Sequence, residues 1–270
     1  MTRKWFKYSI SKERFHNNDD RFSFTDQQLI EDNDIYKKRF IYSNFIKNEL
    51  CSNVYKYFIK NLENKETLFI GSSWAWWEYF LMKKIDLTAS DINQNYINFH
   101  KNFSDLKYIK LDILDENSVN SLEKKYDQIV VNNIEYLFDD LQLEKSIKNI
   151  YKISEKGAKI FVVFRSRDGF LQKIIDKYLA KFEMFLFYLL KKIRNKVYFN
   201  KSHQVYKRNI NNFISFYKKK NFIFKSLFTG MYEGEYERLK IIKKLKLSKL
   251  FSIIFFKSHP YLNIIYFEKK

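Results

Sequence analysis

The spacing of apolar positions along this chain changes near residue 67. Before that point Phe40, Ile41, Phe45 and Ile46 recur at helical spacing, as do Val54, Phe58 and Ile59, so the first sixty residues predict turns followed by helix. After it, short apolar runs alternate with amphipathic stretches. The runs at 67–71, 86–90, 107–111, 128–132 and 158–165 predict strands, and those at 222–228 and 262–267 predict two more. Helices are predicted at 74–83, 94–103, 118–124 and 141–153. Strands that alternate with helices specify an α/β fold on a doubly wound, mostly parallel sheet. The predicted organisation is a helical extension over 1–60 and one α/β domain over 61–270, interrupted by a helical insertion or cap at 170–210.

In such sheets ligands sit beyond the carboxyl ends of the strands. The first strand runs through Gly71-Ser72-Ser73-Trp74-Ala75 directly into a helix. Small residues at 71, 73 and 75 let the backbone turn tightly and approach a ligand, and a helix amino terminus offers N–H groups to an anion. A plain turn with Ser72 or Ser73 capping the helix fits the same residues. The second strand ends at Asp91, twenty residues after Gly71, where a carboxylate can accept two hydrogen bonds from a ribose diol. Asp91 can equally cap the helix that opens at Gln94. The third ends at Asp112, whose carboxylate could hold an exocyclic amine while Ile113 packs on a base. A dinucleotide fingerprint would need a small residue at 76, and Trp76 excludes it; no Gly-Lys-Ser/Thr phosphate loop occurs.

The order of these features resembles the class I S-adenosylmethionine-dependent methyltransferases. The segment Thr67-Leu68-Phe69-Ile70-Gly71-Ser72-Ser73-Trp74-Ala75 is similar to their first motif, a strand ending in Gly-x-Gly-x-Gly, with Ser73 and Ala75 replacing two glycines and Phe69 where an acid often stands. Asp91 in Leu87-Thr88-Ala89-Ser90-Asp91-Ile92 matches the acid that ends the second strand, and Asp112 matches the acid after the third. The run from Tyr126 through Asn132-Asn133 to Leu137 follows the fourth motif. The resemblance covers about residues 50–170 and implies a seven-stranded sheet whose last strand is antiparallel. It implies S-adenosylmethionine as cofactor, with Gly71, Ser72 and Ser73 near its methionine part and Asp91, followed by Ile92, on the ribose. Asp112 and Ile113 would frame the adenine, and Asn132 and Asn133 would line the cleft beside the sulfonium. The segment Asn132-Asn133-Ile134-Glu135 contains no proline, which argues against amino methylation of nucleobases and leaves a small-molecule or lipid-linked acceptor, with a hydroxyl as the acceptor group. A hydroxyl needs a base, and the candidates are His203, Tyr206 and Asp168. Arg165 and Arg167, after the fifth strand, could bind an anionic substrate or remain solvated charges. Trp74, Trp77 and Leu81 share one helix face and are expected in the core, with Trp76 turned toward the cleft. The replaced glycines also fit a second reading, a non-catalytic binding module of the same fold.

Composition refines this picture. Apolar residues make up 46% of the chain, enough for a sizeable core. The longest strongly apolar stretches, 185–190 and 250–256, are far shorter than the roughly 20 residues a membrane span requires. Residues 1–20 are mixed and charged, so no cleaved signal peptide is expected, and the single Cys51 fits a reducing, cytoplasmic setting. With one Cys and scattered His, no metal site is expected. A codon bias toward Lys, Asn, Ile, Phe and Tyr can explain the overall charge of +19 but not its distribution. Residues 171–270 carry 23 Lys+Arg against 6 Asp+Glu, a net +17, whereas residues 1–170 carry a net +2. This asymmetry predicts a surface or partner, with an anionic membrane surface favoured over nucleic acid because segments 188–197 and 239–257 interleave basic and apolar residues.

Overall fold

The computed structural model describes residues 3–7, 53–73, 75–164, 203–229 and 263–270. In chain order these form β1 (Arg3–Lys7), α1 (Asn53–Asn61), β2 (Thr67–Ile70), α2 (Trp76–Leu81), β3 (Leu87–Asp91), α3 (Gln94–Phe103), β4 (Lys107–Lys110) and α4 (Glu116–Asn120). There follow β5 (Tyr126–Asn132), a 3-10 turn (Glu135–Leu137), α5 (Asp140–Ile153), β6 (Ser154–Phe164), β7 (His203–Lys207), α6 (Ile210–Lys219), β8 (Phe222–Thr229) and β9 (Asn263–Lys269).

Seven strands form one sheet in the order β4-β3-β2-β5-β6-β9-β8. The pairings β3–β4, β2–β3, β2–β5 and β5–β6 are parallel, whereas β6–β9 and β8–β9 are antiparallel. The sheet is therefore mixed rather than mostly parallel, with β9, the last strand, antiparallel to both of its neighbours as the resemblance implied. Strand order reverses between β2 and β5, so the crevice above their carboxyl ends is the place for a ligand.

Alternation within each strand divides the core between the two faces of the sheet. Leu68, Ile70, Ile129, Val131, Ile160 and Val162 pack on one face with α5 and α6. Phe69, Val130, Phe161 and Val163 pack on the other with α1, α2 and α3. Helices on both faces bury these strands from both sides, and that is why they read in sequence as continuous apolar runs. In α1, Val54 and Phe58 are buried as their spacing predicts, but Ile59 is 38% exposed.

Two elements depart from the expected organisation. Residues 3–7 form a strand, not helix or turn, and pair antiparallel with β7, whose residues were assigned to the insertion. A two-stranded ribbon was not foreseen because Arg3-Lys4-Trp5-Phe6-Lys7 carries little apolar alternation. Phe40, Ile41, Phe45 and Ile46, the segments 170–202 and 239–257, Arg165, Arg167 and Asp168 lie outside the described residues, as does the basic surface predicted for 171–270 over much of its length. Among the described residues, no helix is long and apolar enough to cross a membrane.

Candidate active site

The loop after β2 has the backbone of a glycine-rich turn although it contains one glycine. Gly71, Ser73 and Ala75 all lie in the left-handed region, at φ 77°, 50° and 50°. This conformation costs a residue with a Cβ about 1–2 kcal/mol, so the surrounding structure must hold it. The Ser73 N–H donates to Asp91 Oδ2 at 2.9 Å, and the Ser73 carbonyl accepts from the Tyr108 hydroxyl at 2.7 Å. Ser73 is thus held from β3 on one side and β4 on the other. The Gly71 and Ser72 N–H groups donate to the Ser90 carbonyl, and Ala75 N–H donates to the Ser72 carbonyl.

Ser72 is buried, and its hydroxyl donates to the Phe69 carbonyl at 3.4 Å, so it faces into the sheet. The alternative in which Ser72 or Ser73 caps the helix is corrected, because α2 begins at Trp76 with Ala75 as its N-cap and no side-chain cap bond. Trp77 and Leu81 are buried, as their spacing implies. Trp74 and the Trp76 side chain lie outside the described residues.

Gly71 is required by more than its φ. A Cβ built on it would lie 2.2 Å from Ile134 Cγ2 and 3.6 Å from the Asn132 carbonyl oxygen. The loops after β2 and β5 therefore touch at this residue. On the β5 side, Asn132 and Asn133 are half-buried, and Asn133 has φ 53°, which Asn tolerates better than most residues.

Asp91 ends β3, half-buried, with Oδ1 accepting from Asn93 N–H at 3.0 Å and Oδ2 engaged by Ser73. Burial pushes its carboxyl above the usual range, against the pull of those N–H groups. Each oxygen keeps lone-pair capacity beyond its one N–H. Asp112, beyond β4, accepts from Leu114 N–H at 2.9 Å, while its own N–H donates to Ser118 Oγ at 3.0 Å. Ile113, expected to pack on a base, instead joins the core on the α5 side, 3% exposed, with its carbonyl accepting from Asn149 Nδ2 at 2.7 Å. A large apolar side chain at that strand end gains more from the α5 core than from an open cleft.

Glu78, which sequence reasoning missed, is 1% exposed on α2, and its carboxyl lies near the Ser72 hydroxyl and backbone N–H groups without a well-formed hydrogen bond to any of them. Burial raises its carboxyl to about 7, opposed by backbone N–H groups and the Ser72 hydroxyl and assisted by Asp91. One signal was available: position 78 lies three residues before Leu81 on the buried stripe of the helix, where an acid is out of place. The Glu135 carboxyl is also buried, and burial raises it to about 8, opposed by the Tyr217 hydroxyl and Arg208.

These two acids predict a pH dependence. Each binds its proton more tightly folded than unfolded, so its contribution to stability is full below about pH 4.3 and is lost as pH rises through about 7 for Glu78 and about 8 for Glu135. Denaturant melts between pH 5 and 8.5 are expected to show stability falling with pH, by at most about 1.4 kcal/mol per unit for each acid. Glu78→Gln and Glu135→Gln should each flatten the fall; an unchanged slope in both would refute this assignment.

Of the catalytic candidates, Asp168 and the His203 side chain lie outside the described residues. His203 and Tyr206 are both on β7, which packs against the 3-10 turn after β5. The fold thus brings the strand bearing these two residues beside the turn that follows β5. Burial, then the charge of Asp139, raises the Tyr206 hydroxyl, so it is a neutral phenol near pH 7.

No family model matches the chain, and it matches no curated protein. Solved structures do match. A Pyrococcus horikoshii protein superposes with TM-score 0.56 at 11% identity, over 88% of this chain and 99% of that one. The magnesium protoporphyrin IX methyltransferase of Synechocystis, solved with bound SAH, gives 0.54 at 9% identity, over 91% and 100%. A TehB-like SAM-dependent methyltransferase of Corynebacterium glutamicum gives 0.52 at 10%, over 91% and 100%. The fold is that of the class I, Rossmann-like S-adenosylmethionine-dependent methyltransferases.

Proposed function

We propose that this protein is an S-adenosylmethionine-dependent methyltransferase acting on a small-molecule or lipid-linked acceptor, through a hydroxyl group. The observation that carries the reading is the left-handed backbone at 71, 73 and 75, held in place by the acid at the end of the next strand. Two of these positions keep a glycine's conformation without the glycine.

The residues fit the cofactor chemically. Asp91 ends β3 and Asp112 lies just beyond the neighbouring β4, a favourable setting for a cationic ligand. S-adenosylmethionine supplies a methyl group on a positively charged sulfur. In this reading Asp91 accepts from the ribose with Ile92 beside it, and Asp112 lies toward the adenine. Gly71 and Ser73 give backbone contact to the methionine part. Ser72 acts only through its backbone, because its hydroxyl is engaged in the sheet. Asn132 and Asn133 line the acceptor side of the cleft. Holding the acceptor at near-attack distance is the main contribution the protein can make to such a displacement. His203, with Asp168, is assigned to accept the hydroxyl proton, and Tyr206 joins them as a neutral phenol that can hydrogen-bond the acceptor. The lipid-linked option is supported by the basic, apolar-rich sequence between 171 and 270.

The test is a titration with S-adenosylmethionine and S-adenosylhomocysteine followed by thermal melting. A ligand at one hundred times its dissociation constant should stabilise the protein by about 2.7 kcal/mol. Melting unmoved by either compound removes the enzyme reading in favour of a binding module with another ligand.

A further inference from the structure

The cofactor reading leaves one buried cation unused. Arg208 follows β7 directly, and its side chain is 1% exposed. A guanidinium removed from water persists only where its N–H groups find acceptors, and here the acceptors surround a single turn. Arg208 Nη1 donates to the Glu135 carbonyl at 3.2 Å, and Nη2 to the Phe138 carbonyl at 2.8 Å. Nε and Nη2 both donate to Asp140 Oδ1, at 3.0 and 2.7 Å. The first two bonds flank the turn that continues from Asn132-Asn133-Ile134, and the others hold the start of α5. A second tie comes from α6, where the Tyr217 hydroxyl donates to Glu135 Oε1.

The same turn is limited on its other side by Gly71, since Ile134 occupies the space that a Cβ there would need. It is therefore packed between the loop after β2 and the segment that carries Arg208. That segment also bears His203 and Tyr206, and the Arg208 guanidinium lies 5.8 Å over the Tyr206 ring.

We propose that Arg208 is the positioning residue of the candidate active site. By gripping the turn after β5 at both ends, it fixes Asn132–Ile134 against the Gly71 loop and joins them to the strand that carries His203 and Tyr206. The proposal rests on the methyltransferase reading for what this lip of the cleft serves. Arginine suits the position because its planar fork reaches two carbonyls and a carboxylate together. Lysine, a point charge on a flexible stem, cannot match that geometry.

The test uses the whole chain as wild type, Arg208→Lys, Arg208→Ala and Asp140→Asn. It combines amide hydrogen exchange with calorimetric titration of S-adenosylhomocysteine. In Arg208→Lys the amides of Leu137 and Phe138 should exchange about tenfold faster or more, and affinity should fall by a similar factor, as expected for losing charge-assisted bonds. The amides inside β2, β5 and β6 should keep their wild-type protection. Asp140→Asn retains both carbonyl contacts and should be milder. Guanidinium chloride at millimolar concentration should restore affinity in Arg208→Ala, whereas a purely structural loss would not respond to it. If Arg208→Ala does not fold, Arg208→Lys decides. Unchanged exchange in the turn, exchange that rises evenly across the sheet, or a loosened turn with wild-type affinity would each overturn the proposal. A wild type that does not bind S-adenosylhomocysteine removes the methyltransferase reading instead, and the local exchange ratio alone then decides whether Arg208 holds the turn.

Discussion

Asp91→Ala is expected to lower affinity for S-adenosylmethionine by about a hundredfold or more. The expectation combines two losses at one residue. The carboxylate accepts from Ser73 N–H through Oδ2 and from Asn93 N–H through Oδ1, so its removal frees the loop that holds the left-handed Ser73. It also removes the acceptor assigned to the ribose. Hydrogen bonds to a charged acceptor contribute roughly 1.5–3 kcal/mol each, and about 1.4 kcal/mol is a factor of ten in affinity. Asp91→Asn keeps one carbonyl oxygen, which can brace the loop or serve the ribose but not both fully, and should fall between the two. Calorimetric titration of the three proteins checks the order. Wild-type affinity in Asp91→Ala would mean that the ribose is held elsewhere.

How much of this was legible depends on what each residue meets in the fold. The seven sheet strands were readable because helices cover both faces, leaving apolar runs such as Leu68-Phe69-Ile70 and Ile129-Val130-Val131 unbroken by polar residues. Strand direction was not readable in the same way. A strand such as Asn263–Lys269 carries the same apolar run whether it lies parallel or antiparallel to β6, so the mixed character of the sheet depends on connections that local pattern does not encode. Helix α6 has the i, i+3, i+4 pattern in Phe213, Phe216 and Tyr217, all buried, but its sequence begins at the boundary of the expected insertion and was not separated from it.

The site divides similarly. Gly71 and Asp91 stood out because residue type and position relative to the strands agree with their geometry. Ser73 and Ala75 were marked by their small size and place in the first motif, but their positive φ was not legible, since neither residue type favours it; at Ser73 the conformation is held by Asp91 and Tyr108, which lie 18 and 35 positions away. Arg208 looked like one basic residue among many. Its function as a clamp exists only because the chain returns beside Glu135, 73 residues earlier, and no local signal announces that meeting.

The strained loop gives the second large prediction, in which two substitutions should move stability in opposite directions. Gly71→Ala imposes the left-handed cost of about 1–2 kcal/mol on a residue with a Cβ. It also sets a methyl group 2.2 Å from Ile134 Cγ2, a distance no pair of carbons tolerates, so Ile134 must move. Overpacking of this kind typically costs a further 1–3 kcal/mol, and the total is roughly 3 kcal/mol. For a domain of this size that lowers the melting temperature by roughly 10 °C. The damage should extend to function, because Ile134 is part of the turn that Arg208 holds, and its displacement moves Asn132 and Asn133. Ser73→Gly removes a Cβ from the same left-handed geometry without touching the backbone bonds to Asp91 and Tyr108. Relief of strain exceeds the entropy that glycine adds to the unfolded chain where φ is positive, so stability should rise by up to about 1 kcal/mol. Thermal melts of both variants beside wild type decide the matter. A Gly71→Ala protein that melts with wild type would show that Ile134 yields freely and that the turn does not depend on glycine. A Ser73→Gly protein that melts lower would show that the serine hydroxyl stabilises the loop by more than its backbone strain costs.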